Sequence, residues 1–200
     1  NCKIVVSNAL DEYLIQELLS QGASIDAFGI GERLITAKSD AVFGGVYKLA
    51  ASEDKYGNIV PKIKISENIE KITNPHFKKV YRLYSKESGK AEADLICLHN
   101  ESIDDSKPLE IFDPEYTWKR RIISDFNARE LLVPIFTGGK RVYEFPRLDK
   151  VRDYCKEEID SMWDEVLRFE NPHNYYVDLS QQLWDLKQDM LNGKRHPNNV

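Results

Sequence analysis

Ile25-Asp-Ala-Phe-Gly-Ile-Gly-Glu-Arg-Leu34 is the stretch that decides how this chain folds. The apolar run from Ile25 to Phe28 breaks at Gly29 and Gly31, and an amphipathic stretch follows. A strand entering such a turn bares several backbone N–H groups with no Cβ in front of them. A helix starting there aims its dipole at the same spot. That is the pattern of a phosphate-holding turn, which in a barrel enzyme lies at the carboxyl end of a strand, where active sites sit. Gly-x-Gly alone is equally the mark of an ordinary strand-to-helix turn, and both readings stand at this point.

Upstream, Lys3-Ile-Val-Val6 is a β-branched apolar run ending at Ser7-Asn8, residues suited to capping a helix. Leu10, Leu14 and Leu18 recur at helical spacing with Ile15 and Leu19 beside them, and Gly22 closes the helix. Residues 3 to 34 therefore read strand, helix, strand, glycine turn: one βα unit and the start of the next. Groups just after each strand of such a unit face the site. After the first strand these are Ser7, Asn8 and Asp11; after the second they are the backbone of Gly29, Ile30, Gly31, Glu32 and Arg33. Groups suited to ribose hydroxyls thus stand beside donors suited to a phosphate. The plainer alternative is that Ser7 and Asn8 only cap the helix.

Downstream, Phe43 to Ala51 reads as one more strand, with Gly44-Gly45 where backbone passes close to something. From Tyr56 the character changes to short strands and polar turns. Val60 to Ile65 alternates apolar residues with lysines, as a half-exposed strand does. Lys79–Tyr84 and Ala91–His99 form a hairpin across residues 86–90, with Gly89 taking the positive φ of the turn. Leu131–Phe136 and Arg141–Phe145 form a second across Thr137-Gly-Gly-Lys140. Two helices follow the resulting small antiparallel sheet. One runs from Leu148 to Phe169, with Val151, Tyr154, Cys155, Ile159, Met162, Trp163 and Val166 on one face; the other runs from Leu179 to Leu191, with Leu183, Leu186 and Met190 inward. The tail from Asn192 to Val200 is expected to fray. The expected division is residues 1–52, α/β, and residues 53–200, α+β.

Composition narrows the function classes. With 42% hydrophobic residues among 200, the chain has enough to bury a core. No apolar run approaches the roughly 20 residues that span a bilayer, and no signal peptide is seen, so a membrane partner is not expected. Three widely spaced cysteines, Cys2, Cys97 and Cys155, argue for a reducing, cytoplasmic setting and against a zinc site or disulfide framework. A net charge of −5 does not suggest a nucleic-acid surface, and the triplet Lys119-Arg-Arg121 reads as ordinary surface.

Several strings together carry a family resemblance. Val5-Val-Ser-Asn-Ala-Leu-Asp-Glu12, Phe28-Gly-Ile-Gly-Glu-Arg-Leu-Ile-Thr-Ala37 and Phe43-Gly-Gly-Val-Tyr-Lys-Leu49 come in that order. Lys71-Ile-Thr-Asn-Pro-His-Phe-Lys-Lys-Val-Tyr-Arg-Leu-Tyr84, Gly89-Lys-Ala-Glu-Ala-Asp-Leu95, Asn127-Ala-Arg-Glu-Leu-Leu-Val-Pro-Ile135 and Asn171-Pro-His-Asn-Tyr-Tyr-Val-Asp-Leu-Ser180 follow. They resemble the nicotinate phosphoribosyltransferases, and the likeness runs over nearly the whole chain. Those enzymes are longer, so the resemblance is to their C-terminal portion. It implies the last strands of a type II phosphoribosyltransferase (β/α) barrel, then a small antiparallel sheet and C-terminal helices.

The resemblance also implies a reaction: nicotinate and phosphoribosyl pyrophosphate give nicotinate mononucleotide, with ATP hydrolysis and Mg²⁺, in a homodimer. Within this segment it implies phosphate contacts from the 29–33 turn, ribose contacts from Ser7, Asn8 and Asp11, and pyrophosphate contacts from Lys48 or Lys78. No catalytic residue is expected in it, because the phosphorylatable histidine of the family lies before these residues. His76, His99, His173 and His196 show no metal-ligand or nucleophile-pairing spacing. Family turns often carry Thr after the second glycine, and Glu32 stands there, which leaves a backbone grip but puts a side-chain contact in doubt. Alternatives are a nicotinamide or quinolinate phosphoribosyltransferase, or a C-terminal interaction domain without activity. The isolated segment is expected to be inactive.

Overall fold

The computed structural model describes residues 2–42 and 44–193. The chain divides into two compact units, Asn1–Tyr47 and Lys48–Val200. The tail beyond residue 193, His196 and Phe43 as a strand start lie outside the described residues.

In the first unit, strand β1 (Val5–Ser7) leads through helix α1 (Glu12–Ser20) to strand β2 (Ala27–Gly29). The two strands pair in parallel, Val5 opposite Ala27 and Ser7 opposite Gly29. A parallel pair needs a crossover, and α1 supplies it. The expected strand–helix–strand order is observed, but the cap is not where the expectation put it. Asn8 and Ala9 take left-handed backbone, φ +107° and +47°, which no helix accommodates. The helix therefore starts later, on Asp11, whose carboxylate accepts the Leu14 N–H at 2.9 Å. A one-turn helix α2 (Glu32–Ile35) follows β2, with Gly31 at its N-cap.

In the second unit, β3 (Ala51–Glu53) and β4 (Ile59–Pro61) form a short hairpin. Both expected strands here are shorter than their sequence patterns. Residues 44–50 carry no strand, and the run to Ile65 stops at Pro61, because Pro61 supplies no N–H to continue a ladder. The expected long hairpin is present as β5 (Lys78–Ser85) and β6 (Ala91–Leu98), with Gly89 at φ +69°. Strands β7 (Leu109–Phe112) and β8 (Arg120–Ile123) form a further hairpin, and β9 (Phe126–Glu130) pairs with β5. The second expected hairpin is reduced to two rungs, β10 (Phe136–Thr137) on β11 (Lys140–Arg141).

Helix α3 (Leu148–Asp160) ends nine residues before the expected Phe169. Its last carbonyls are claimed from outside: the Ala91 N–H donates to the Ser161 carbonyl at 2.8 Å, and the Lys90 ammonium to those of Asp160 and Met162. Strand β12 (Val177–Leu179) then pairs with β6 in parallel, so the main sheet, in order β12-β6-β5-β9, is mixed and not purely antiparallel. Helix α4 (Gln181–Leu191) starts at Ser180, whose hydroxyl accepts the Leu183 N–H and donates to Glu101. Leu179, expected in that helix, belongs to β12.

Alternation along the strands builds the core. Tyr81 and Leu83 of β5 and Ala93, Leu95 and Cys97 of β6 share a face, which the β7–β8 hairpin covers with Ile111 and Ile123, and Phe126 of β9 joins them. Leu83 and Phe126 are wholly buried, each contributing about 1.5–3 kcal/mol by removal from water. Helix α4 lies against β6 with Leu183 and Leu186 buried, and Met190 is half-buried. Burial pushes the Cys97 thiol up to about 12, so this cysteine is packing rather than a nucleophile. Among the described residues no helix is long and apolar enough to cross a membrane.

Candidate functional site

The ends of β1 and β2 open onto a cleft of about 500 Å³ lined by Asn8, Ala9, Gly29, Gly31, Glu32 and Arg33 among others. Parallel pairing explains the gathering. Both strands run the same way, so the segments leaving their carboxyl ends emerge side by side. Asn8 and Ala9 turn away from β1 in left-handed backbone, and Gly31 opens the turn after β2.

The two glycines serve different ends. A Cβ on Gly29 would stand 3.1 Å from the Ser7 Cβ, so this glycine is what lets the two strand ends approach. A Cβ on Gly31 would meet nothing within 4 Å and would project into open space. No side chain caps α2 at Gly31, and the first-turn N–H groups of Glu32 and Arg33 have no intrahelical acceptor. Among the described residues these backbone donors have no bonded acceptor, and they lie beside a cavity.

Side chains around it are less free. Asp11 accepts the Leu14 N–H with one oxygen and the Arg33 guanidinium with the other. The Leu14 bond first, and then Arg33, hold its carboxyl below the usual range. As cap and ion-pair partner, Asp11 has structural work that the ribose reading did not foresee. It also anchors Arg33 across the mouth of the cleft, joining the segment after β1 to the segment after β2. Glu32 lines the cleft, and its carboxylate opposes an anion unless it turns outward. Ser7, opposite Gly29 in the ladder, and Asn8 remain beside the turn.

The two expected pyrophosphate lysines lie in the second unit, and both are engaged. The Lys48 ammonium donates to the Lys71 carbonyl. Lys78 donates to three carbonyls, those of Asn74 at 2.7 Å, Pro75 at 3.3 Å and His76 at 2.7 Å. An ammonium has three N–H groups, so Lys78 has none left, and burial lowers its pKa besides. It holds the 74–76 turn together. Lys48 keeps donors to spare.

Sequence reasoning passed over several charged residues of the second unit. Arg82 on β5 and Asp94 on β6 are register partners and form a two-pronged ion pair. The expected hairpin contained that signal, since its register places the two opposite one another. Lys187 of α4 and Asp178 of β12 carried no local signal, because the strand that surrounds them was not expected. Among the described residues no group of three His, Cys, Asp or Glu side chains is placed to hold a metal ion.

Comparison with known proteins bears on the family and the fold of the chain. Residues 77–187 match the family model described as the nicotinate phosphoribosyltransferase C-terminal domain. The chain is 38% identical over 191 residues to a nicotinate phosphoribosyltransferase of Bacillus subtilis (strain 168), covering 96% of this chain and 39% of that protein. It is 34% identical over 190 residues to one of Dictyostelium discoideum, covering 91% of this chain and 31% of the relative. The chain thus spans between about a third and two fifths of the length of these curated relatives. The crystal structure of human nicotinic acid phosphoribosyltransferase superposes with a TM-score of 0.71 at 22% identity, over 94% of this chain and 33% of that one. At that identity the likeness is one of fold. With the family model matched over more than half its length, the chain belongs to the nicotinate phosphoribosyltransferases and carries their C-terminal domain.

Proposed function

We propose that the protein carrying this chain joins nicotinate to phosphoribosyl pyrophosphate, releasing pyrophosphate and nicotinate mononucleotide, in a reaction driven by ATP hydrolysis with Mg²⁺. The observation that carries this reading is the family match joined to the glycine turn beside its cleft. Nicotinate attacks the anomeric carbon as the bond to pyrophosphate breaks, and positive charge develops on the ribose ring. The protein's work is to hold the 5′-phosphate, orient the ring and neutralise the leaving group.

The backbone N–H groups from Gly29 to Arg33 hold the 5′-phosphate in this reading, with Ser7 and Asn8 on the ribose hydroxyls. Arg33 is kept at the mouth by Asp11. β1 and β2 read as the last strands of a (β/α) barrel whose other strands come from elsewhere in the polypeptide. Lys48 is the remaining candidate for pyrophosphate, acting in a homodimer across to the partner's site. Its three cysteines are reduced and free in a cytoplasmic enzyme.

Gly31→Val in the full-length enzyme tests the turn. The valine meets no atom within 4 Å at its Cβ, and its bulk occupies the place proposed for the phosphate. Affinity for phosphoribosyl pyrophosphate should fall about tenfold or more, or ~1.4 kcal/mol, as measured by calorimetry. Unchanged affinity would remove this turn from the site.

A further inference from the structure

On the opposite side of β12 from Asp178, the second unit has a cleft of about 570 Å³ that the reaction proposed above does not use. Its volume lies in the range of small-molecule sites. Ile96, Val177, Leu179 and Leu191 make an aliphatic wall, brought together because β12 lies beside β6 and runs into α4. Lys187, one turn before Leu191 on α4, stands in this wall half-buried. Its ammonium donates to the Asn74 side-chain oxygen at 2.8 Å.

That bond uses one of three N–H groups. Among the described residues no carboxylate is paired with Lys187 within 4.0 Å; burial lowers its pKa, and the more distant Glu115 charge works against that fall without cancelling it. Lys78 shows the contrast: it is equally withdrawn from water, and three carbonyls surround it. A half-buried cation with idle donors carries a desolvation cost that a counter-ion would offset. Glu115 and Glu70 line the same cleft but are exposed, so water and salt screen them.

We propose that this cleft binds a short aliphatic monocarboxylate, its carboxylate on the Lys187 ammonium and its alkyl chain along Ile96, Val177, Leu179 and Leu191. One ammonium suits one negative charge. A phosphate or dicarboxylate would bring a second charge toward Glu70 and Glu115 with no cation to meet it. The branched aliphatic lining takes a hydrocarbon chain, which the hydrophobic effect holds in proportion to the area covered. The proposal is independent of the phosphate turn and of the reaction assigned to the enzyme.

Lysine labelling by reductive methylation of the full chain, read residue by residue by mass spectrometry, tests it with hexanoate as probe. Hexanoate should slow modification of Lys187 and leave the exposed Lys107 and Lys150 unaffected, and hexanamide, lacking the charge, should not. Lys187→Met keeps the stem without the charge and should weaken hexanoate binding about tenfold or more, the worth of a charge-assisted hydrogen bond. The protection measurement uses the unaltered chain, so it stands even where the variant folds poorly. Equal protection by hexanamide, no protection at all, or undiminished binding by Lys187→Met would each overturn the proposal. So would protection present without hexanoate and lost in Glu115→Gln, which would put that carboxylate, not a ligand, on the ammonium.

Discussion

Arg82→Met should cost the second unit about 3–5 kcal/mol, the range for breaking a buried ion pair from one side. Arg82 and Asp94 face each other across β5 and β6, with Nε to Oδ1 at 2.8 Å and Nη2 to Oδ2 at 2.9 Å. The third guanidinium nitrogen reaches Glu158 of α3 at 3.0 Å, and Arg129 of β9 clasps the same carboxylate. The Tyr175 hydroxyl donates to Asp94 at 2.9 Å. Burial, and then the Asp94 charge, push the Tyr175 phenol up, so it stays a neutral donor. The side chains of Arg82 and Asp94 are only 16% and 12% exposed, so water cannot take over when one is removed.

Methionine in place of Arg82 leaves Asp94 charged with a single hydroxyl donor. It also leaves α3, none of whose residues is buried, held to the sheet mainly by Arg129 and by Lys90 at its end. Equilibrium unfolding in urea measures the loss, and hydrogen exchange should show α3 opening first. Arg82→Met combined with Asp94→Leu should recover much of the stability, since removing both charges also removes their desolvation cost. A single-variant loss below about 1 kcal/mol would mean that solvent screens the pair like any surface bridge.

The parts of this fold that were readable in the sequence are those whose hydrophobic period extends over enough residues. Leu10, Leu14 and Leu18 announce α1, and the apolar run before Gly29 announces β2, so the strand–helix–strand order leading to the cleft is legible. The β5–β6 hairpin showed itself through eight-residue strands and the Gly89 turn. Strands β7, β8 and β12 are three or four residues long, too short for alternation to stand out. The apolar pattern of α3 runs past the helix's end for a different reason. Met162, Trp163 and Val166 continue its apolar period, but the carbonyls near its end are bonded by Lys90 and Ala91, contacts from residues 70 positions away.

The site divides along the same line. The backbone donors from Gly29 to Arg33 needed only local pattern, so they were legible. That Asp11 would be consumed as a cap and as the partner of Arg33 depended on the left-handed turn at Asn8 and Ala9, which has no glycine to signal it. Lys78 looked like a free cation and is surrounded by carbonyls of its own turn. Lys187 carries no signal of its own in the sequence, and it is half-buried because it stands in the cleft beside β12.

Asp178 should make the stability of this domain fall as pH rises from about 4 to 6, the reverse of the usual acid-destabilised carboxylate. The residue sits at the middle of β12 opposite Leu95, 4% exposed, and among the described residues no donor is bonded to its carboxylate. Burial pushes its pKa up to about 6; Arg121 works against that rise and Asp113 adds to it. In the unfolded chain an aspartate ionises near 3.9. Between those values the folded state holds a proton that the unfolded state has lost, so unfolding releases it and stability declines with pH. Above pH 6 the folded chain carries a buried charge, and the integrated cost is ~3 kcal/mol. Asp178→Asn removes that charge with little change of shape. At pH 8 the variant should be more stable than the parent chain by up to ~3 kcal/mol in urea unfolding, and at pH 3.5, where the parent carboxyl is protonated, the difference should vanish. A parent chain more stable than the variant at pH 8 would show that Arg121 holds the Asp178 carboxylate as a working ion pair, and that its charge stabilises the fold.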